Sequence, residues 1–216
     1  MKIGIRLHDT VPGSLWERMC RAKAQGFDCM HLALSKALPH FEMEDAPRRL
    51  DAHLAIQMRG ALTVGRMECA VLGCYLNPAE RDPERLERVR AIYRAHLRFA
   101  PEIGARVVGT EAMPVQGTDA RSDAALQWFI DCARPLAEYA GEVGTTLAIE
   151  PSVGNVIDTP ERAERVLDAL NSDHVSIILD AVNLLTRDNY LNADAIVDEC
   201  VARFGDRISE IGRAHV

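Results

Sequence analysis

Two short apolar runs, Thr145-Thr146-Leu147-Ala148-Ile149 and Val175-Ser176-Ile177-Ile178-Leu179, each stop at a carboxylate, Glu150 and Asp180, with one helix-length segment between them. A continuous apolar run of this length suits a strand buried on both faces of a parallel sheet, and the intervening segment supplies the crossover that parallel pairing needs. Chemistry in such folds gathers at the C-terminal ends of the strands. One acid there also serves as a cap for the helix that follows. Two at equivalent positions point to a site, presented as a β/α protein presents metal ligands.

The rest of the chain repeats this unit without a linker or low-complexity segment, so one continuous domain is expected. Strands are expected over residues 2–7, 29–34, 69–75, 106–109, 145–150 and 175–180, with a seventh beginning at Arg207-Ile208-Ser209. Helices are expected over residues 14–26, 47–59, 83–100, 123–141 and 193–204, with another opening at Thr159-Pro160-Glu161. Ser14 and Glu17 have capping-box spacing, Gly26 is a C-terminal stop, and Asn192 is placed to cap the last helix. Alternating strands and helices close into an eight-stranded barrel, which takes about 250 residues. Six units are complete here and a seventh is begun. The fold class expected is therefore α/β, a parallel (β/α)8 TIM barrel left incomplete, over residues 1–210. The final six residues, 211–216, match the translated start of a widely used sequencing adapter and are expected to be such a tail. His215 is accordingly not counted as a metal ligand.

A net charge of -7 provides no basic footprint for nucleic acid and no polybasic membrane patch, which favours small-molecule substrates. No apolar run approaches the roughly 18 residues of a membrane span, and the N-terminus begins directly as a strand, so a cytoplasmic protein is expected. The six cysteines form no C-x-x-C pair and read as reduced core residues. Cys74, beside Tyr75, has no partner base that would make it a nucleophile.

Gly4-Ile5-Arg6-Leu7-His8-Asp9, Val71-Leu72-Gly73-Cys74-Tyr75-Leu76-Asn77-Pro78, Gly109-Thr110-Glu111, Ala148-Ile149-Glu150-Pro151 and Leu179-Asp180-Ala181-Val182-Asn183-Leu184 carry a family resemblance. The chain resembles the xylose isomerase-like barrel superfamily, nearest to its sugar phosphate isomerase/epimerase group, which is similar to inosose dehydratases and ketose 3-epimerases. The resemblance implies one divalent cation, Mn²⁺, Mg²⁺ or Co²⁺, with Zn²⁺ also accepted, held by Glu150 ending strand five and Asp180 ending strand six. Two further ligands belong to strands seven and eight and have no counterpart here, so this chain alone is expected to be inactive. It also implies proton abstraction next to a carbonyl, with Glu150 as acid/base and the enediolate held on the metal. Return of the proton to the other face gives epimerisation, return to the neighbouring carbon isomerisation, and loss of a β-hydroxyl dehydration. Substrates implied are a sugar, an inositol derivative or a sugar phosphate, and the full-length protein is a candidate homo-oligomer.

Four more polar residues fall at strand ends and are candidate substrate contacts, each with a local alternative. His8 either bonds substrate hydroxyls or belongs to a turn with Asp9. Asn77 binds a hydroxyl or forms the turn before Pro78. Glu111 joins an acidic cup or caps a helix, and Asn183 contacts substrate or satisfies a turn. His53 and His96 fall in helical segments, His174 in a loop, and His31 in the core. The endonuclease branch of the same superfamily needs several more histidines, and Asn183 stands where that branch tends to have one. A catalytically silent sugar-binding barrel remains the alternative of another class.

Overall fold

The computed structural model describes residues 2–212. Seven parallel strands follow one another across a single sheet: β1 (Gly4–Arg6), β2 (Cys29–Leu32), β3 (Glu68–Gly73), β4 (Val107–Glu111), β5 (Thr146–Glu150), β6 (Val175–Leu179) and β7 (Ile208–Ile211). Each pairs with the next, and β1 and β7 are the two edges among the described residues. The result is an open barrel, an incomplete (β/α)8 fold. The helices are α1 (Leu15–Ala24), the single turns α2 (Leu34–Ala37) and α3 (Ala46–Arg49), then α4 (Ala52–Gly65), α5 (Pro83–Glu102), α6 (Asp123–Val143), α7 (Pro160–Leu170) and α8 (Ala193–Phe204).

Local sequence accounts for the ends of these elements. Ser14 and Glu17 form the full capping box of α1, and the Thr159 hydroxyl accepts from the Arg162 backbone N–H at the start of α7. Gly144 adopts the left-handed region (φ 69°) that ends α6 and turns the chain into β5. On α5, Arg90 donates to Glu87 at 2.6 Å, one helical turn away.

The two faces of the sheet divide the residues by parity. Outward side chains such as Leu72, Val108 and Leu147 join one helix-facing core cluster, and Ile149, Ile177 and Leu179 join a second with Phe129 and Phe204. The inward row holds Val71, Val107, Ala148 and Ile178 in a small cluster of its own. Above that cluster the same parity carries Tyr75, Glu111, Glu150 and Asp180, which line one continuous trough of about 2720 Å³ along the open barrel. Buried apolar residues thus hold the sheet to its helices, and polar ones at the C-terminal ends face the interior.

Several boundaries differ from those expected. Strand two stops at Leu32, because Leu34 already begins α2. The helix expected over residues 47–59 is two helices: the Asp51 carboxylate accepts from the Leu54 backbone N–H, starting α4 afresh, and α4 runs on to Gly65. Strand three ends at Gly73, leaving Tyr75 in the following loop, whereas strand four extends to Glu111. Asn192 precedes α8 but makes no side-chain cap bond, since residues 190–192 form a 3-10 turn leading into the helix. Ile211 belongs to β7, opposite Leu179, and the Gly212 N–H donates to the Leu179 carbonyl at 2.8 Å. The rest of the expected adapter tail, residues 213–216 with His215, lies outside the described residues.

Candidate active site

Glu111 and Glu150 are register partners at the ends of β4 and β5. Neighbouring strands lie about 4.8 Å apart, so the two carboxylates stand side by side on the inner face. Asp180 follows β6 directly, is 3% exposed, and begins the 3-10 turn Ala181–Leu184. That turn places Asn183: its N–H donates to the Asp180 carbonyl at 3.0 Å, and its carbonyl accepts from the Val153 N–H at 2.8 Å. Its side-chain amide then donates to Glu150 Oε1 at 2.7 Å. From the other side the Tyr75 hydroxyl donates to Glu150 Oε2 at 2.9 Å. Glu150 thus has a neutral donor on each oxygen. Glu111 is held by the Asn155 amide at 3.2 Å.

Tyr75 reaches from the loop after β3 to β5 over Gly109 of β4, where a Cβ would stand 3.2 Å from its hydroxyl. Burial first, and then the charge of Glu150 and the hydrogen bond to it, push the Tyr75 hydroxyl well above its ordinary range, so it remains a protonated donor. Its ring stacks on His31 at 5.4 Å between centroids, and His31 meets His8 edge to face at 6.1 Å. Burial holds His31 down to about 4, so it is neutral near pH 7. His8 is lowered as well, by burial and then by Lys36.

The candidate residues named from sequence divide into three groups. Glu111, Glu150, Asp180 and Asn183 converge on the C-terminal end of the trough. His8 lines the same trough near β1, with His31 and Tyr75 standing between it and Glu150. Asn77 is engaged elsewhere: its amide donates to the Pro114 carbonyl at 3.2 Å, and its oxygen accepts from the Ala79 N–H at 3.0 Å. Sequence reasoning missed Tyr75 and placed His31 in the core, whereas His31 lines the trough. The signal was the inward parity Val71, Gly73, Tyr75, which sets Tyr75 on the same side as the strand-end acids.

Glu150 and Asp180 offer oxygen donors of the type that a hard divalent cation takes. Among the described residues no three His, Cys, Asp or Glu side chains gather as a metal-binding group. The donors fit such a cation in kind and fall short in number. Cys74 is buried and its thiol is pushed well up by desolvation, so it offers no thiolate nucleophile. Among the described residues, no helix is long and apolar enough to cross a membrane.

Comparison with known proteins adds three findings. A family model described as xylose isomerase-like TIM barrel matches residues 20–215. No curated protein matches the chain. Similar solved structures include the apo form of 3-keto-D-glucoside 4-epimerase, YcjR, from E. coli, with 20% identity over 98% of this chain and 78% of that one, TM-score 0.74. The IolI protein with a zinc atom is 15% identical over 98% and 72%, TM-score 0.72. D-Psicose 3-epimerase with D-tagatose from Clostridium cellulolyticum H10 is 15% identical over 94% and 71%, TM-score 0.73. The chain spans 27% of a xylose isomerase-like TIM barrel/4-hydroxyphenylpyruvate dioxygenase fusion protein, to which it is 18% identical over 86% of its own length, TM-score 0.67. At these identities the likeness is one of fold.

Proposed function

The chain belongs to the xylose isomerase-like TIM barrel family, and from that premise we propose that it is the larger part of a divalent-metal-dependent sugar isomerase or epimerase. The observation that carries this reading is the pairing of Glu150 and Asp180 at neighbouring strand ends, with each oxygen of Glu150 held by a neutral donor. Similar solved structures include sugar epimerases, one with D-tagatose, and a protein with a zinc atom. Sugars, inositol derivatives and their phosphates are the substrate classes proposed.

Glu150 and Asp180 are the proposed holders of the cation. Bound there, a divalent ion supplies the positive charge that polarises a carbonyl and makes the neighbouring C–H acidic. The protein's own residues do the rest. Glu150, oriented by Tyr75 and Asn183, accepts the proton at the oxygen lone pairs those donors leave open. Glu111 and His8 are proposed hydroxyl contacts, and Asn77 is proposed to contribute through the loop it ties down. We also propose that β7 is followed, in the natural protein, by a further β/α unit carrying the remaining ligands. Six free cysteines among the described residues fit a reducing compartment, which supports a cytoplasmic enzyme.

A sugar-binding barrel without catalysis is the second reading, favoured by the incomplete donor set among the described residues. The test is deuterium uptake from D2O into ketoses and inososes, followed by NMR with and without Mn²⁺. It is run on this chain and on the longest reading frame that contains it. Metal-dependent uptake is expected in the longer protein; binding of a sugar without uptake in either would favour the second reading.

A further inference from the structure

Tyr75 is a polar side chain of the trough that belongs neither to the acidic cluster nor to the helix-facing core. Tyr75 lies beyond the end of β3, yet its hydroxyl reaches Glu150 on β5 across the intervening strand. The inner row makes that reach sterically open. A Cβ on Gly109, the β4 residue next to the hydroxyl, would stand 3.2 Å from the Tyr75 oxygen and 2.8 Å from Val71 Cγ1. A Cβ on Gly73 would stand 2.5 Å from His31 Nε2 and 3.1 Å from the Tyr75 ring, so the stacked pair also depends on a glycine. Two glycines on two strands therefore leave room for the arrangement seen, His31 behind Tyr75 and Tyr75 against Glu150.

We propose that Tyr75, backed by His31, is a positioning residue for Glu150: it fixes Oε2 while Asn183 fixes Oε1, so the carboxylate plane has one orientation towards the trough. This rests on the reading of Glu150 as the proton acceptor. Two donors on separate elements, one on each oxygen, define the plane of the carboxylate. Proton transfer needs the acceptor lone pair aimed at the C–H, and a misplacement of about 1 Å is enough to matter. Tyr75 acts through Glu150.

The test compares Tyr75→Phe, which keeps the ring and the stack, with Tyr75→Leu, which loses both. Two readouts are needed, and one is independent of activity. In crystal structures of the metal-free full chain, Glu150 Oε2 is expected to shift by about 1 Å or to occupy several positions in both variants. In the deuterium assay Tyr75→Phe is expected to lower kcat about tenfold, with KM within about twofold. A Glu150 that superposes on wild type in both variants overturns the proposal, and so does a change in KM alone. If wild type takes up no deuterium, the functional reading fails and the crystal comparison alone decides the positioning role. Should either variant not fold, 3-fluorotyrosine in otherwise wild-type protein replaces it. The ¹⁹F resonance of Tyr75 is expected to move when Glu150→Gln is introduced, and an unmoved resonance overturns the contact.

Discussion

His96 offers a quantitative check on the core that holds the site. It sits on α5 with no exposed surface, its Nδ1–H donating to the Ile92 carbonyl 2.9 Å away. Burial lowers its pKa from 6.5 to about 4. The unfolded chain therefore takes up this proton first as pH falls, and the folded state binds fewer protons in between. Stability rises with pH wherever the unfolded state binds more protons, so this contribution is complete above about pH 6.5 and is lost as pH falls towards 4. Each pKa unit is about 1.4 kcal/mol, so the whole effect is roughly 3 kcal/mol, of which about 2 kcal/mol is lost between pH 7 and pH 5. The perturbation is His96→Leu, which removes the titrating group. Urea unfolding of both proteins at pH 7 and pH 5 provides the difference of differences, from which any constant packing penalty of the substitution cancels. Wild type is expected to lose about 2 kcal/mol more than His96→Leu over that interval. Equal losses in the two proteins would refute the reasoning, because the ring would then titrate alike folded and unfolded.

Other expectations follow from particular contacts. Asp158, with a 6% exposed side chain, accepts from Arg121 at 2.9 Å and faces Arg162 at 3.7 Å, and Arg162 also holds the carbonyls of residues 120–122. Asp158→Ala leaves the buried Arg162 guanidinium with backbone carbonyls and, at 4.0 Å, the exposed Asp123 as its partners, and is expected to lower unfolding stability by about 3 kcal/mol in urea titration; a loss below about 1 kcal/mol would show that those partners suffice. Five of the six cysteines are buried and Cys20 is partly exposed, so a thiol reagent applied to native protein is expected to label one site rapidly, at Cys20 by peptide mapping. Fast labelling of Cys74 would contradict its placement under the sheet.

Much of the fold was legible because its signals are local and repeated. Apolar runs of strand length, a capping box at Ser14, and the Thr159-Pro160 opening of α7 each specify a boundary within a few residues. The break between α3 and α4 was not, because an Asp capping in mid-run looks like an ordinary polar helix residue until its N–H partner is seen. In the site, the acids were legible as strand-end carboxylates. Tyr75 was not, since its contact with Glu150 joins residues 75 positions apart and depends on the missing side chains of Gly73 and Gly109. His31 was misjudged for a related reason: alternation places it on the inner face, but an apolar neighbourhood in sequence does not say which face is hollow.

The central claim is that Glu150 takes a proton from carbon at this site. Its most direct test is metal-dependent deuterium uptake from D2O by the longest reading frame containing the chain, wild type against Glu150→Gln, with thermal unfolding to confirm that both are folded. The substitution keeps the shape of the side chain and removes its basicity. Uptake in wild type that falls at least about a hundredfold in Glu150→Gln is expected. Uptake that persists unchanged in Glu150→Gln would contradict the claim and move the acceptor to another group in the trough.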